Sequence, residues 1–413
     1  MRIALLSLGL LASLSLPAGQ PQYRTEDALG GLTFSQPLGI AEVPGSRDAL
    51  LVLEKTGTVQ WVSGLASGQP AKRAFLDLTQ PRDGKLETNG ECGLLGMALH
   101  PRFAENGQAF VYYSLRLDGR LHQRLSRFSA RKGADGRILL DPASEQPLIS
   151  QLDPAGNHNG GDVHFGPEGY LYFSCGDGGK ANDAFDHGGR IDKGFFAAVF
   201  RIDIDRRPGN PRPNPDAAVQ TDAKGEAFYA VPADNPFIGA MTHRGQPVDA
   251  ARLRTETWAT GLRNAWRFAY DAETRTWMAG DVGQNLFEEV DVLEAGKDYG
   301  WPLREGKQAF GKAQAIPGLA EPIADYGRHK GSTAGSVTGG RIYRGKAVPA
   351  LAGTYVFADF ATREIYALKT DVQPPACVVI GEAPTIAGFG ENPADGELLL
   401  CSMGTGKVLR LAR

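Results

Sequence analysis

Cysteine is scarce in this chain of 413 residues: Cys92, Cys175, Cys377 and Cys401 are all there is, and no Cys-x-x-Cys-His spacing occurs. That excludes a built-in c-type haem. An excess of charge of either sign is absent too. Lys+Arg 44 against Asp+Glu 47 leaves a net charge of −3, which excludes the basic surface of a nucleic-acid binder and a polyanion-binding tail. Beyond the N-terminal residues no long apolar run is found, so no transmembrane segment is expected. Nor does helical periodicity reach the strength of the strand alternation. What the chain has in quantity is turn formers, Gly 53 and Pro 26, which suit many short strands rather than helices. With 42% hydrophobic and 22% charged residues there is ample material for a core.

The first 18 residues read as a secretory signal: Arg2, the apolar run Ile3–Leu16, then small residues near Ala18. A cleaved chain of residues 19–413 is therefore expected in a periplasm or the medium. No cysteine lies at the expected cleavage point, so no lipid anchor is expected. In an oxidising compartment four cysteines allow three pairings. Cys377–Cys401 is preferred, because both fall in the last stretch of alternating strands, and Cys92–Cys175 comes second. Four buried free thiols are the equal alternative.

Six segments repeat one plan of apolar strand, Pro/Gly/Asp turn, second apolar or aromatic strand and Gly-rich exit. They are Leu38–Val62, Met97–Ser114, Val163–Gly179, Arg267–Gln284, Arg341–Leu368 and Phe389–Arg410. Two-strand units recurring in this way point to the blades of an all-β, six-bladed β-propeller, a single domain closed where the terminal strands meet. A pair of β-sandwiches is the competing architecture. The largest gap, between the third and fourth repeat units, contains Asp203–Asp216 (DIDRRPGNPRPNPD) and reads as a long loop insertion. It is expected on the face around the central channel, where propellers bind ligands.

Asn157-His158-Asn159-Gly160-Gly161-Asp162 leads into a hairpin, Val163–Gly166 and Tyr170–Ser174, which exits through Cys175-Gly176-Asp177-Gly178-Gly179. If both strands run the hairpin's length, His158 and Asp177 share its open end. A base held by a carboxylate is what proton abstraction needs. The structural alternative is that Asn, Gly and Asp only form turns here.

Four blocks resemble the soluble quinoprotein glucose/sorbosone dehydrogenase family, which includes aldose sugar dehydrogenases. They are Glu91–Phe103 (ECGLLGMALHPRF), Gly156–Gly179, Gly261–Pro302 and Thr338–Leu368, and with the blade spacing they cover roughly residues 30–410. The resemblance implies a six-bladed propeller carrying pyrroloquinoline quinone (PQQ) over the channel, with Ca²⁺ on the quinone edge. It implies His158 as the base that takes the proton of a sugar C1 hydroxyl, Asp177 as the carboxylate orienting it, and Arg263 and Asn264 as quinone contacts. Glu91 stands beside the cofactor, and Asn182 lines the site. The main-chain carbonyls of Gly283 and Gln284 match the calcium turn, and Glu288, Glu289 and Tyr299 match a second calcium site. Tyr299 and Trp301 are otherwise read as packing a blade edge, and His100 and His164 as structural.

The chemistry agrees with these roles. Loss of hydride from an alcohol carbon needs simultaneous removal of the hydroxyl proton, for which a neutral imidazole is suited. A quinone gaining hydride becomes anionic, so a fixed guanidinium and a hard cation lower the barrier. The chain departs from the family at the cations that hold the cofactor's carboxylates. Phe357–Arg363 offers only Arg363, and Ala383–Phe389 has no cation. Lys180, His329, Lys330 and Arg341 are the candidates to compensate. The expected activity is oxidation of small-molecule aldoses to lactones, with electrons passing to a separate acceptor. The rivals are a non-catalytic propeller binding module that has lost the quinone, and a metal-dependent lactonase using Glu91, Asn157 and Asp177.

Overall fold

Short apolar runs separated by tight turns fold here into six four-stranded antiparallel blades. The computed structural model describes residues 23–312, 316–328, 335–370, 372 and 375–413. The secretory segment 1–18, His329 and Lys330 lie outside the described residues. The first blade consists of Pro37–Glu42, Ala49–Glu54, Thr58–Ser63 and Ala71–Asp77. The second consists of Leu94–Leu99, Gln108–Leu117, Arg120–Lys132 and Ile138–Leu152, with Lys85–Leu86 added beside Gln108–Leu117. Val163–Phe165, Leu171–Cys175, Ala198–Ile202 and Thr257–Thr260 make the third. Ala265–Asp271, Thr276–Asp281, Phe287–Leu293 and Ala324–Gly327 make the fourth. The fifth is Val337–Ile342, Tyr355–Asp359, Glu364–Lys369 and Ala376–Glu382. The sixth joins Ile386–Glu391, Leu398–Ser402 and Lys407–Ala412 to Arg24–Asp27, whose residues pair with 409–412 and so close the ring.

The first strand of each blade lies against the axis, packed on its neighbours. At these seams backbone meets backbone. A Cβ on Gly96 would stand 2.0 Å from the Gly161 carbonyl oxygen, and one on Gly388 2.2 Å from that of Leu38. Five of the six inner strands also carry an irregular register near their start, at 37/39, 94/96, 265/267, 337/339 and 386/388. An extra residue at a sheet's rim re-aims its side chain. Of the five residues skipped, Leu38, Trp266, Thr338 and Ala387 face the cavity described below.

The long insertion falls in the third-to-fourth gap, inside the third blade between Ile202 and Thr257. Its root differs from the expectation. Ile202 pairs with Leu171, whereas Ala198 pairs with Cys175 beside Asp177, so the insertion leaves at the end of the blade remote from His158. Its hairpin Thr242–Pro247 reaches back along the outside: Arg244 donates to Asp298 Oδ2 at 2.6 Å and to the Trp301 carbonyl at 2.9 Å. The connection 176–197 is what the third blade places beside the site. All four cysteines are free thiols, which corrects the preferred pairings. Cys175 Sγ contacts the Tyr112 hydroxyl at 3.4 Å and Cys92 Sγ the Asn159 amide at 3.5 Å, while Cys377 and Cys401 sit in different blades. No helix among the described residues is long and apolar enough to cross a membrane.

Candidate functional site

The hairpin Val163–Phe165/Leu171–Cys175 sets the geometry. Val163 pairs with Phe173, so the segments before and after the hairpin emerge together. His158 has a left-handed φ of 58° and 6% exposure. Its backbone N–H donates to Glu91 Oε2 at 2.6 Å, fixing the turn from the first-to-second blade connection. The His158 Nδ1 lies 2.6 Å from Asp177 Oδ1. Asp177, 1% exposed, also accepts the Gly179 N–H on Oδ1 and the Trp301 indole N–H on Oδ2, both at 2.9 Å. Trp301 arrives because residues 297–301 run beside the third blade's outer strand, with Tyr299 N–H on the Thr260 carbonyl and Trp301 N–H on that of Gly261.

Arg263 and Asn264 occupy the crossing from third to fourth blade. Their backbone N–H groups donate to the two oxygens of Asp281, at 2.8 and 2.6 Å. Burial pushes the Asp281 carboxyl up to about 6, against the pull of those donors. The Arg263 guanidinium donates from Nη1 to the Val282 carbonyl at 2.8 Å and from Nη2 to Gln284 Oε1 at 3.2 Å. It lies 5.4 Å from the Trp301 ring centroid. Nη2 also stands 3.0 Å from His158 Nε2. Because arginine only donates, Nε2 must accept, which puts the imidazole proton on Nδ1 facing Asp177. The ring is thereby a neutral base with its lone pair at Nε2. Asn264 accepts the Gly160 N–H at 3.1 Å, tying the His158 turn to the fourth blade.

His158, Arg263, Asn264 and Glu91 line a cavity of about 390 Å³ over the axis, together with Trp266, Lys55 and Arg328. That volume lies in the range of small-molecule sites. Among the described residues three cations face it against one carboxylate. Arg263 Nε is buried with no hydrogen-bond partner among the described residues, an N–H left for a ligand. A flat, multiply anionic molecule such as PQQ fits this donor set. A second cavity of about 640 Å³ opens at the other end of the axis, where Asp162 bonds His164 at 3.0 Å and Arg341 bonds Glu42 at 3.1 Å. His164 thus lies away from the site, and so does His100, 3.3 Å from Asp205.

The remaining expected residues divide. Asn182 gives its backbone N–H to Gln284 Oε1 at 3.1 Å, while its side chain is exposed. Arg363 is exposed on the turn after Tyr355–Asp359 and does not line the cavity among the described residues. Lys180 stands over the Phe185 ring. The carbonyls of Gly283 and Gln284 accept Arg328 Nη2 at 3.0 Å and Nη1 at 3.2 Å. Glu288 pairs with Arg328, and burial pushes its carboxyl up to about 7. Glu289 points elsewhere, to the Gly306 N–H, and burial beside Asp291 raises its carboxyl well above the usual range. The Tyr299 hydroxyl bonds the Val292 carbonyl at 2.6 Å and the Glu294 N–H at 2.9 Å. Gly283, Gln284 and Glu288 thus converge on Arg328 while Glu289 and Tyr299 turn elsewhere, and no group of three or more His, Cys, Asp or Glu among the described residues is arranged to hold a metal. Calcium takes about six to eight oxygens, and the three this turn could offer are occupied by the Arg328 guanidinium, so the donor set as it stands does not fit it.

Lys55, Asp281, Trp301 as a partner of Asp177, and Arg328 are the residues that the sequence left unassigned. Lys55 follows the first blade's second strand, is 8% exposed, and has its ammonium pKa lowered by burial. The only signal for it or for Arg328 was position, since both stand where a strand ends at the site face.

Residues 34–223 and 225–391 match the sequence profile of the family described as Glucose / Sorbosone dehydrogenase. The HIPL1 protein of Arabidopsis thaliana is 28% identical over 82% of this chain and 55% of its own length. The HIPL2 protein of the same plant is 29% identical over 73% and 47%, so the chain spans about half the length of these relatives. The aldose sugar dehydrogenase YliI of Escherichia coli is 25% identical over 70% of this chain and 67% of its own. Human Hedgehog-interacting protein is 25% identical over 81% and 42%. Among solved structures, the PQQ-bound aldose sugar dehydrogenase of Streptomyces coelicolor shares the fold, with a TM-score of 0.63, 20% identity and coverage of 96% of this chain and 99% of that one. The apo aldose sugar dehydrogenase of Escherichia coli does so at 0.66, 20%, 94% and 99%. With the profile spanning nearly all of the propeller, the chain belongs to the glucose/sorbosone dehydrogenase family.

Proposed function

We propose that the chain is an exported oxidoreductase that converts the C1 hydroxyl of aldose sugars to a lactone, using PQQ and a separate electron acceptor. The observation that carries this reading is the His158 imidazole at the cavity, its proton held on Nδ1 by Asp177 and its Nε2 lone pair met by Arg263 Nη2 at 3.0 Å, a contact that a sugar hydroxyl would replace. In this reading His158 Nε2 takes the hydroxyl proton of the sugar as the C1–H bond breaks. Asp177 stabilises the imidazolium that results, and Trp301 keeps Asp177 aimed. Arg263, Asn264 and Lys55 are the residues that would hold the cofactor, Arg263 meeting negative charge at the quinone edge. Bound PQQ supplies the two-electron acceptor for the hydride leaving C1. The apolar side chains of Leu38, Trp266, Val282 and Phe360 in the cavity lining would limit the water held beside a bound substrate. Calcium has no part in this proposal. Export rests on residues 1–18, and residues 19–413 are proposed as one propeller domain.

One observation favours the rival binding module: Arg363 stands off the cavity, so among the described residues fewer cations are placed to meet a quinone's carboxylates than the family pattern implies. The two readings part on one assay. The purified chain 19–413 is mixed with PQQ and a panel of aldoses, and dye reduction is followed. Dehydrogenase function predicts quinone-dependent reduction that falls about 10²–10⁴-fold in His158→Ala, and falls likewise in Arg263→Ala. No binding of PQQ in a titration, with no turnover of any aldose, would leave the module.

A further inference from the structure

The turn Gly283–Gln284 lines the cavity beside Arg263, whose Nη2 donates to the Gln284 side-chain Oε1. Both main-chain carbonyls of the turn are taken by a single guanidinium. Arg328 Nη2 donates to the Gly283 carbonyl at 3.0 Å and Nη1 to that of Gln284 at 3.2 Å. The other edge of the same group is gripped by Glu288, whose Oε1 receives Nε at 2.9 Å and Nη2 at 2.6 Å. Glu288 is fully buried, and its Oε2 accepts the Val337 N–H at 2.9 Å. Gly335 leaves room for the arrangement. A Cβ there would lie 2.8 Å from Arg328 Cγ, 2.9 Å from its Nε and 3.0 Å from Glu288 Oε1.

We infer that Arg328 takes the place of a divalent ion at this turn, so that the chain binds its quinone against a guanidinium of its own and without calcium. The inference rests on the quinone-dependent reading above. A calcium ion on these two carbonyls would meet a fixed positive charge in contact distance. To reach them it would have to displace Arg328 from four hydrogen bonds, two of them to the buried Glu288 carboxylate. Carbonyl dipoles and a carboxylate are the ligands a hard cation seeks, and here a planar fork satisfies them through four N–H groups. Arg328 and Arg263 then flank the turn, two single charges where a quinone oxygen gains electron density. A guanidinium stays charged at any working pH and no chelator removes it.

The test is titration of the purified chain 19–413 with PQQ, read by quenching of tryptophan fluorescence, in EDTA and in excess CaCl₂. Trp266, on the cavity wall, supplies the signal. The expected result is the same Kd in both, within about threefold. Calorimetry of the chain with CaCl₂ should show no stoichiometric binding at the site. Arg328→Ala should weaken PQQ binding in EDTA by about tenfold or more, and CaCl₂ should restore part of it. Arg328→Lys keeps a charge and should fall between. Binding of PQQ by the unaltered chain only when calcium is present would overturn the inference and leave the quinone reading standing, whatever the variants do. Failure to bind PQQ in either buffer would overturn both.

Discussion

Trp301 holds Asp177 from the side away from His158, and its ring lies beneath the Arg263 guanidinium. One side chain therefore aligns the base and the cation together. Trp301→Phe keeps the ring and removes the N–H, so Asp177 loses one of its donors and the imidazole its fixed aim. We expect kcat on aldoses to fall about tenfold, one charge-assisted hydrogen bond's worth, while PQQ affinity stays within about twofold. An equal loss in both would make Trp301 a cofactor contact instead. His158 and Asp177 stand together at the open end of one hairpin, as its period of two implied, whereas Arg263 and Asn264 came from the family resemblance and lie beside them as one contiguous block. Trp301 lies 124 residues from Asp177, and the chain path that brings it there follows from the seam between two blades, not from any pattern around position 301. Lys55 and Arg328 escaped for the same reason. A cation at a strand end looks alike in every blade until the ring closes.

The blades were legible as elements because strand alternation repeats, and their inner strands explain why glycine recurs where it does. Gly96 and Gly388 sit where one inner strand's backbone presses on the next, 2.0 and 2.2 Å from a carbonyl oxygen once a Cβ is added. Gly388→Ala is expected to cost about 1–3 kcal/mol, as overpacking of a well-filled core does, measured by denaturant unfolding. The irregular registers beside these glycines were not legible, since an extra residue in a strand changes no composition. The insertion was located in sequence but assigned to the wrong end, because a loop's length does not tell which end of a blade it leaves. The last blade adds a prediction of its own. Residues Arg24–Asp27 complete it, and Asp27 Oδ1 also accepts the N–H groups of Leu29 and Gly31 at 3.0 and 2.8 Å. A chain starting at Ala28 exposes Lys407–Ala412 as an unpaired edge, and should melt lower and aggregate more readily than one starting at residue 19. Unchanged melting would show that the ring closes without this strand.

Across the whole molecule, buried carboxyls set how stability varies with pH. Burial pushes Asp153 up to about 7 and raises Glu256 as well. Such groups hold their protons in the folded state after the unfolded chain has lost them, so stability falls as pH rises from about 4 to about 7 and levels off beyond. Asp162 and Asp298 act in the opposite direction. Burial pushes them up, but His164 and Arg267 around one, and Arg244 and His243 around the other, hold both below the usual carboxylate range. Their contribution is present above about 4 and lost as pH drops further. The melting temperature should therefore peak at about pH 4 and decline by a few degrees to about pH 7 in differential scanning calorimetry. A melting temperature rising steadily to about pH 8 would contradict these assignments. The free thiols belong to the same scale: reductant should leave the melting temperature unchanged. The central claim is that His158, aimed by Asp177 and facing Arg263, removes the proton of a bound sugar while hydride leaves for PQQ. It is tested most directly by mixing the PQQ-loaded chain with glucose without oxygen and following the cofactor's absorbance in a stopped-flow instrument. The account predicts rapid conversion to the reduced spectrum, slowed about 10²–10⁴-fold in His158→Ala at unchanged PQQ occupancy. Reduction at the same rate in His158→Ala would contradict it.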